Sequence, residues 1–112
     1  MMCCNGALSC VAGCRNLDKA SPQDLAARIE SAGDDERRKI VNALTSRGDA
    51  ALPEILQAFQ NTTKPVTQFV LAESVYRMPR SEKKKAALEK MHELARDPGV
   101  REVAGRYASD PR

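Results

Sequence analysis

The chain has 112 residues, which suits one domain and not two, and its net charge of +3 is smaller than the excess carried by a strongly basic nucleic-acid binder. There is no Trp and only two Tyr and two Phe, so a core must come from Leu, Ile, Val, Met and Ala, a palette suited to helix-on-helix packing. Every charged residue lies from Arg15 onward, and all four cysteines lie before it.

The chain therefore opens with an uncharged, Cys-rich leader and a polar tether (residues 1–20), ahead of a helical unit (21–108) and a short tail (109–112). Within the leader, Val11-Ala12-Gly13-Cys14 places an aliphatic residue and two small residues before a cysteine. This resembles the lipobox of bacterial lipoproteins. The resemblance implies lipidation of Cys14 and anchoring in the cell envelope, where more than one acyl chain gives stable attachment. No Lys or Arg precedes Cys14, whereas signal peptides open on one. Two other readings stay open. Cys3, Cys4, Cys10 and Cys14 could supply four thiolates to zinc, although their spacing differs from paired knuckles. The segment could also have no role. No stretch reaches the roughly 18 apolar residues of a membrane span.

Helix signals begin at Ser21-Pro22-Gln23-Asp24, an N-cap with Pro in the first turn and an acid at the third position. Leu25, Ile29 and Ala32 give the first helix its apolar face, and Gly33 ends it. Asp34 is expected to cap a second helix with Ile40, Val41 and Leu44 inward and Arg47-Gly48 as its stop. Asp49 is expected to cap a third, with Leu52, Ile55, Leu56 and Phe59 on one face.

Pro65 opens the fourth and most apolar helix, whose expected buried side is Val66, Phe69, Val70, Ala72, Val75 and Tyr76. It is expected to be the central element. Ser81 caps a fifth helix carrying Ala87, Leu88, Met91, Leu94 and Ala95. Asp97-Pro98-Gly99 breaks the chain before a sixth with Val100, Val103, Ala104 and Tyr107. No sustained alternation predicts a strand.

Three stretches recur about 30 residues apart, each a polar turn followed by a helix: residues 33–44, 61–72 and 96–104. Leu52-Pro53-Glu54-Ile55-Leu56-Gln57-Ala58-Phe59 and Asp97-Pro98-Gly99-Val100-Arg101-Glu102-Val103-Ala104 resemble the first-helix and turn motifs of HEAT-like helical repeats. The resemblance implies an all-α fold of three antiparallel helix pairs in a short right-handed stack, with an extended face for a protein partner. The alternative is an irregular five- or six-helix bundle.

No nucleophile elbow, phosphate loop or other catalytic motif appears, so neither enzymatic activity nor a cofactor is expected. His92, the only histidine, reads as an exposed surface residue. Glu30, Asp34, Asp35 and Glu36 cluster at a helix junction, where helix-start electrostatics account for them better than a metal does. Arg77, Arg80, Lys83, Lys84 and Lys85 form the densest basic patch, a candidate site for phosphates of nucleic acid or anionic lipid. No aromatic is interleaved for base stacking. The leading expectation is a non-enzymatic interaction module on an envelope lipoprotein. The second is a cytoplasmic helical-repeat protein that binds nucleic acid through the basic patch.

Overall fold

The computed structural model describes residues 19–110. The leader, with Cys14 and the other three cysteines, lies outside the described residues. Among those described, the chain is all-α, with six helices and no strand. They are α1 (Pro22–Ile29), α2 (Asp34–Thr45), α3 (Leu52–Asn61), α4 (Pro65–Tyr76), α5 (Glu82–Leu94) and α6 (Pro98–Ser109). Each consecutive pair α1–α2, α3–α4 and α5–α6 is in contact. The first helices touch in the order α1–α3–α5 and the second helices in the order α2–α4–α6, so the helices form two rows. Helix α4 touches all five others, which makes it the central element that its composition predicts.

The caps follow local chemistry. The Ser21 hydroxyl accepts from the Asp24 amide at 3.1 Å, and the Ser81 hydroxyl accepts from the Lys84 amide at 3.0 Å. Asp97 accepts from the Gly99 and Val100 amides. These side chains satisfy donors that the first helical turn leaves unpaired. Two expected caps differ. Gly33, not Asp34, is the N-cap of α2, and it makes no side-chain capping bond. Asp34, Asp35 and Glu36 instead fill the first turn, where their charges oppose the helix dipole. Asp49 does not cap α3. It sits in a 3₁₀ turn (Gly48–Ala51) that runs directly into that helix, and its carboxylate accepts from the Ser81 hydroxyl at 3.0 Å. Gly48 enters this turn at φ +68°, a left-handed conformation that glycine adopts without Cβ strain.

The core matches its predicted palette: Leu25, Ile29, Ile40, Leu44, Ile55, Phe59, Leu71, Val75, Leu88 and Met91 are essentially inaccessible. Helix α4 departs from expectation in detail. Its buried residues include Thr67, Gln68 and Ser74, while Phe69 is 38% exposed and Val66 only half-buried. A helix packed on several sides buries polar positions too, and each needs a partner. The Ser74 hydroxyl donates to the Val70 carbonyl at 2.8 Å, and Thr45 of α2 donates to the Ser74 carbonyl at 2.9 Å.

One hydrogen bond recurs in all three pairs. The fourth residue of each second helix reaches back to a carbonyl at the end of the preceding first helix. Arg37 Nε donates to Ile29 O at 3.1 Å, Gln68 Nε2 to Phe59 O at 3.0 Å, and an Arg101 Nη to Ala95 O at 3.0 Å. The three accepting residues are all buried. Three residues after each donor stand Ile40, Leu71 and Ala104, all fully buried.

Helix α6 runs to Ser109, and Asp110 accepts from the Tyr76 hydroxyl at 2.6 Å. Residues 109 and 110, expected in a frayed tail, thus belong to the folded unit.

Candidate functional site

Helices α2 and α4 leave an open groove of ≈ 320 Å³ between them. From α2 come Asp34, Arg37, Arg38 and Val41; from α4 come Val66, Phe69, Val70 and Glu73, with Arg77 at its C-cap. Val41 and Val70 are almost fully buried beneath it. Phe69 is the only large hydrophobic side chain that is exposed among the described residues. Covering the exposed third or so of such a ring with a partner is worth about 0.5–1 kcal/mol in transfer free energy, and aromatic residues in apolar pockets dominate protein interfaces. The placement follows from spacing: residues 66, 69, 73 and 77 lie at intervals of three and four, on one stripe of α4. Glu73, the only charged residue inside this helix, marks the stripe as its solvent side. That signal was available in the sequence, and the aromatic character of Phe69 masked it.

The groove rim carries three guanidinium groups. Arg37 is fixed at Nε by Ile29 O. Arg38 pairs with Asp35 at 3.6 Å, with both side chains largely in solvent. Arg77 pairs with Glu73 at 2.9 Å.

The five residues of the predicted basic patch do not share one surface. Arg77 borders the α2–α4 groove. Arg80, Lys84 and Lys85 line a larger, open depression of ≈ 1190 Å³ along α5 and α6. Lys83 is exposed on α5. Lys84 is 3% exposed and turns inward, where Nζ donates to the Met78 carbonyl at 2.9 Å and lies 5.3 Å from the centre of the Tyr76 ring. The Tyr76 ring in turn stacks on Tyr107, with centroids 4.1 Å apart and planes 11° from parallel. Lys84 is therefore a structural cation that ties the α4–α5 turn to this aromatic pair.

His92 is exposed, as expected, yet held. Its Nδ1 lies 2.8 Å from the Arg101 carbonyl, which can only accept, so Nδ1 carries the proton. Gly105 lies under the ring, where a Cβ would come within 3.0 Å of it. The predicted acidic cluster is dispersed among cations: Glu30 meets Lys64 at 3.1 Å, and Asp35 meets Arg38. Among the described residues no group of three or more His, Cys, Asp or Glu is placed to hold a metal, and no helix is long and apolar enough to cross a membrane.

Compared with protein-family models, with curated proteins and with solved structures, the chain matches none.

Proposed function

We propose that this chain is a non-enzymatic protein-interaction module: a HEAT-like stack of three helix pairs, tethered through a lipidated Cys14 as a bacterial envelope lipoprotein. The observation that carries the interaction reading is Phe69, a large apolar side chain held open to solvent at the middle of the α2–α4–α6 row. The uncovered part of the ring, set in a groove beside Val66, Val41 and Val70, gains nothing for the fold, whereas a partner that covers it gains the corresponding transfer free energy. The stack is supported by the recurring bond from Arg37, Gln68 and Arg101 to the preceding helix end. Stacked repeats offer an extended surface along one row of helices. The tether is supported by Val11-Ala12-Gly13-Cys14 and by the change from uncharged leader to charged body after it.

Two measurements test the proposal. Palmitate labelling in a bacterial host should mark the chain and be lost on Cys14→Ala; unlabelled protein in the soluble fraction refutes the tether. Photo-crosslinking residues placed at Arg38, Phe69 and Glu102, the fifth positions of α2, α4 and α6, should give a discrete adduct with another protein. The same residues placed at Gln23, Glu54 and Lys83 on the first helices should not. No adduct at any position, with the protein folded, refutes the module.

A further inference from the structure

The α2–α4 groove has a chemical character beyond its apolar floor. Its rim sets Arg37, Arg38 and Arg77 against two carboxylates, Asp34 and Glu73. Both carboxylates have a stabilising neighbour. Glu73 is matched by Arg77 at 2.9 Å, and Asp34 stands in the first turn of α2, where the helix dipole opposes its charge. Three guanidinium groups against two carboxylates leave the lining with a net positive charge, and among the described residues Arg37 is the guanidinium in it without a carboxylate partner.

Arg37 is better placed than Arg38. Its Nε bond to Ile29 O fixes the side chain, while its Nη groups make no hydrogen bond or ion pair with the described residues. A guanidinium held at one edge with its other donors open is pre-organised for a carboxylate, because little side-chain freedom is left to lose. Arg38 is bound only by a long, solvent-exposed pair with Asp35, an interaction of small worth that a better acceptor displaces.

We infer that this groove docks an acidic segment of another protein, seating one apolar side chain of that segment against Phe69 and Val66 while flanking Asp or Glu residues meet Arg37 and Arg38. The inference rests on the interaction-module reading and narrows it to one groove and one partner chemistry. A basic segment is disfavoured by the same rim. A second copy of the chain would bring its own Arg37 and Arg38 toward this rim, so like charges would meet.

The test is a random-peptide display selection on the full-length, reduced chain. The enriched peptides should carry an apolar residue flanked by Asp or Glu. They should bind Phe69→Ser about tenfold more weakly or worse. Arg37→Ala with Arg38→Ala should also weaken binding and flatten its salt dependence. Phe69 is 38% exposed, so Phe69→Ser gives up part of its packing and should unfold at lower urea than the parent chain; binding compared without urea, with circular dichroism showing both chains folded, separates lost binding from lost folding. The inference is overturned by enriched peptides without the acidic–apolar pattern, by enriched peptides that bind Phe69→Ser equally well, or by no enrichment at all. A concentration-dependent dimer abolished by Phe69→Ser also overturns it, since the occupant is then a second copy. Crosslinks that arise at Glu102 but not at Arg38 or Phe69 would leave the interaction module standing while removing this groove from it.

Discussion

The amide of Gln68 donates to the carbonyl oxygen of Phe59 at 3.0 Å, wholly inside the α3–α4 pair. Gln68 is 1% exposed, and its Oε1 faces the Arg96 amide at 3.4 Å, so one side chain links the end of α3 to the α5–α6 turn. Arg37 and Arg101 occupy the same helical position in their pairs and serve the same kind of acceptor. The central pair uses a neutral amide where the outer two use arginine. Burial gives the reason: a charge enclosed by α3, α4 and the turn would lose its hydration, whereas the outer positions stay in reach of water.

Replacing Gln68 by Ala should therefore be costly, because it strands a buried carbonyl. We expect a loss of about 1–3 kcal/mol, against about 1 kcal/mol or less for Arg101→Ala, where water can replace the donor. Urea unfolding monitored by circular dichroism measures both. Equal losses would mean that the central bond has no special weight.

Lys84 should behave unlike its neighbours. Lys84→Met keeps the aliphatic stem but leaves the Met78 carbonyl without its cation, and should cost about 1–3 kcal/mol. Lys83→Ala and Lys85→Ala, both exposed, should lie within about 0.5 kcal/mol of the parent chain. Similar midpoints for all three variants would refute the inward role of Lys84.

These contrasts also show what the sequence could convey. The all-α class, the central place of α4, the Ser21 and Ser81 caps and most core positions follow from composition, spacing and cap chemistry. Residue type misleads at Phe69 and Lys84, since an aromatic reads as core and a lysine as surface, although at Phe69 the spacing to Glu73 already marks the solvent side of α4. Each is decided by where neighbouring helices pass. Packing on several sides of α4 buries Gln68 and Ser74 and leaves the Val66–Phe69–Glu73 stripe uncovered. The inward turn of Lys84 depends on Met78 and Tyr76 meeting it across the α4–α5 turn. Asp49 is similar, since its partner Ser81 lies 32 residues away. The groove between α2 and α4 is a product of tertiary contact, and no local pattern encodes it.

Gly105→Ala sets two effects against each other. Alanine is favoured over glycine inside a helix by about 1 kcal/mol. The new Cβ would meet the His92 ring at 3.0 Å and push it off the Arg101 carbonyl, at a cost of about 0.5–1.5 kcal/mol. The net change should be close to zero. In a His92→Ala background the obstacle is gone, and Gly105→Ala should then stabilise by about 1 kcal/mol. A double-mutant cycle by urea unfolding reads this coupling directly, and additive effects would show that the ring does not contact Gly105.

Tyr107 gives the fold a dependence on alkaline pH. Its phenol is held above the ordinary value of 10.0, first by burial and then by the charges of Glu73 and Tyr76, with Arg77 and Arg106 pulling the other way. A raised value in the folded state means that the folded chain keeps the proton after the unfolded chain has begun to lose it. The associated stability is complete below pH 10 and is lost as pH rises through the folded-state value. Unfolding free energies taken at intervals above pH 9 should fall, and Tyr107→Phe, which has no proton to lose, should flatten that fall. Because Tyr76 stacks on Tyr107, ultraviolet titration of a Tyr76→Phe variant isolates the Tyr107 transition. That transition should come above the value of a tyrosine in the urea-unfolded chain. A transition at or below the unfolded value would mean that the ring is not shielded by α4 and α6.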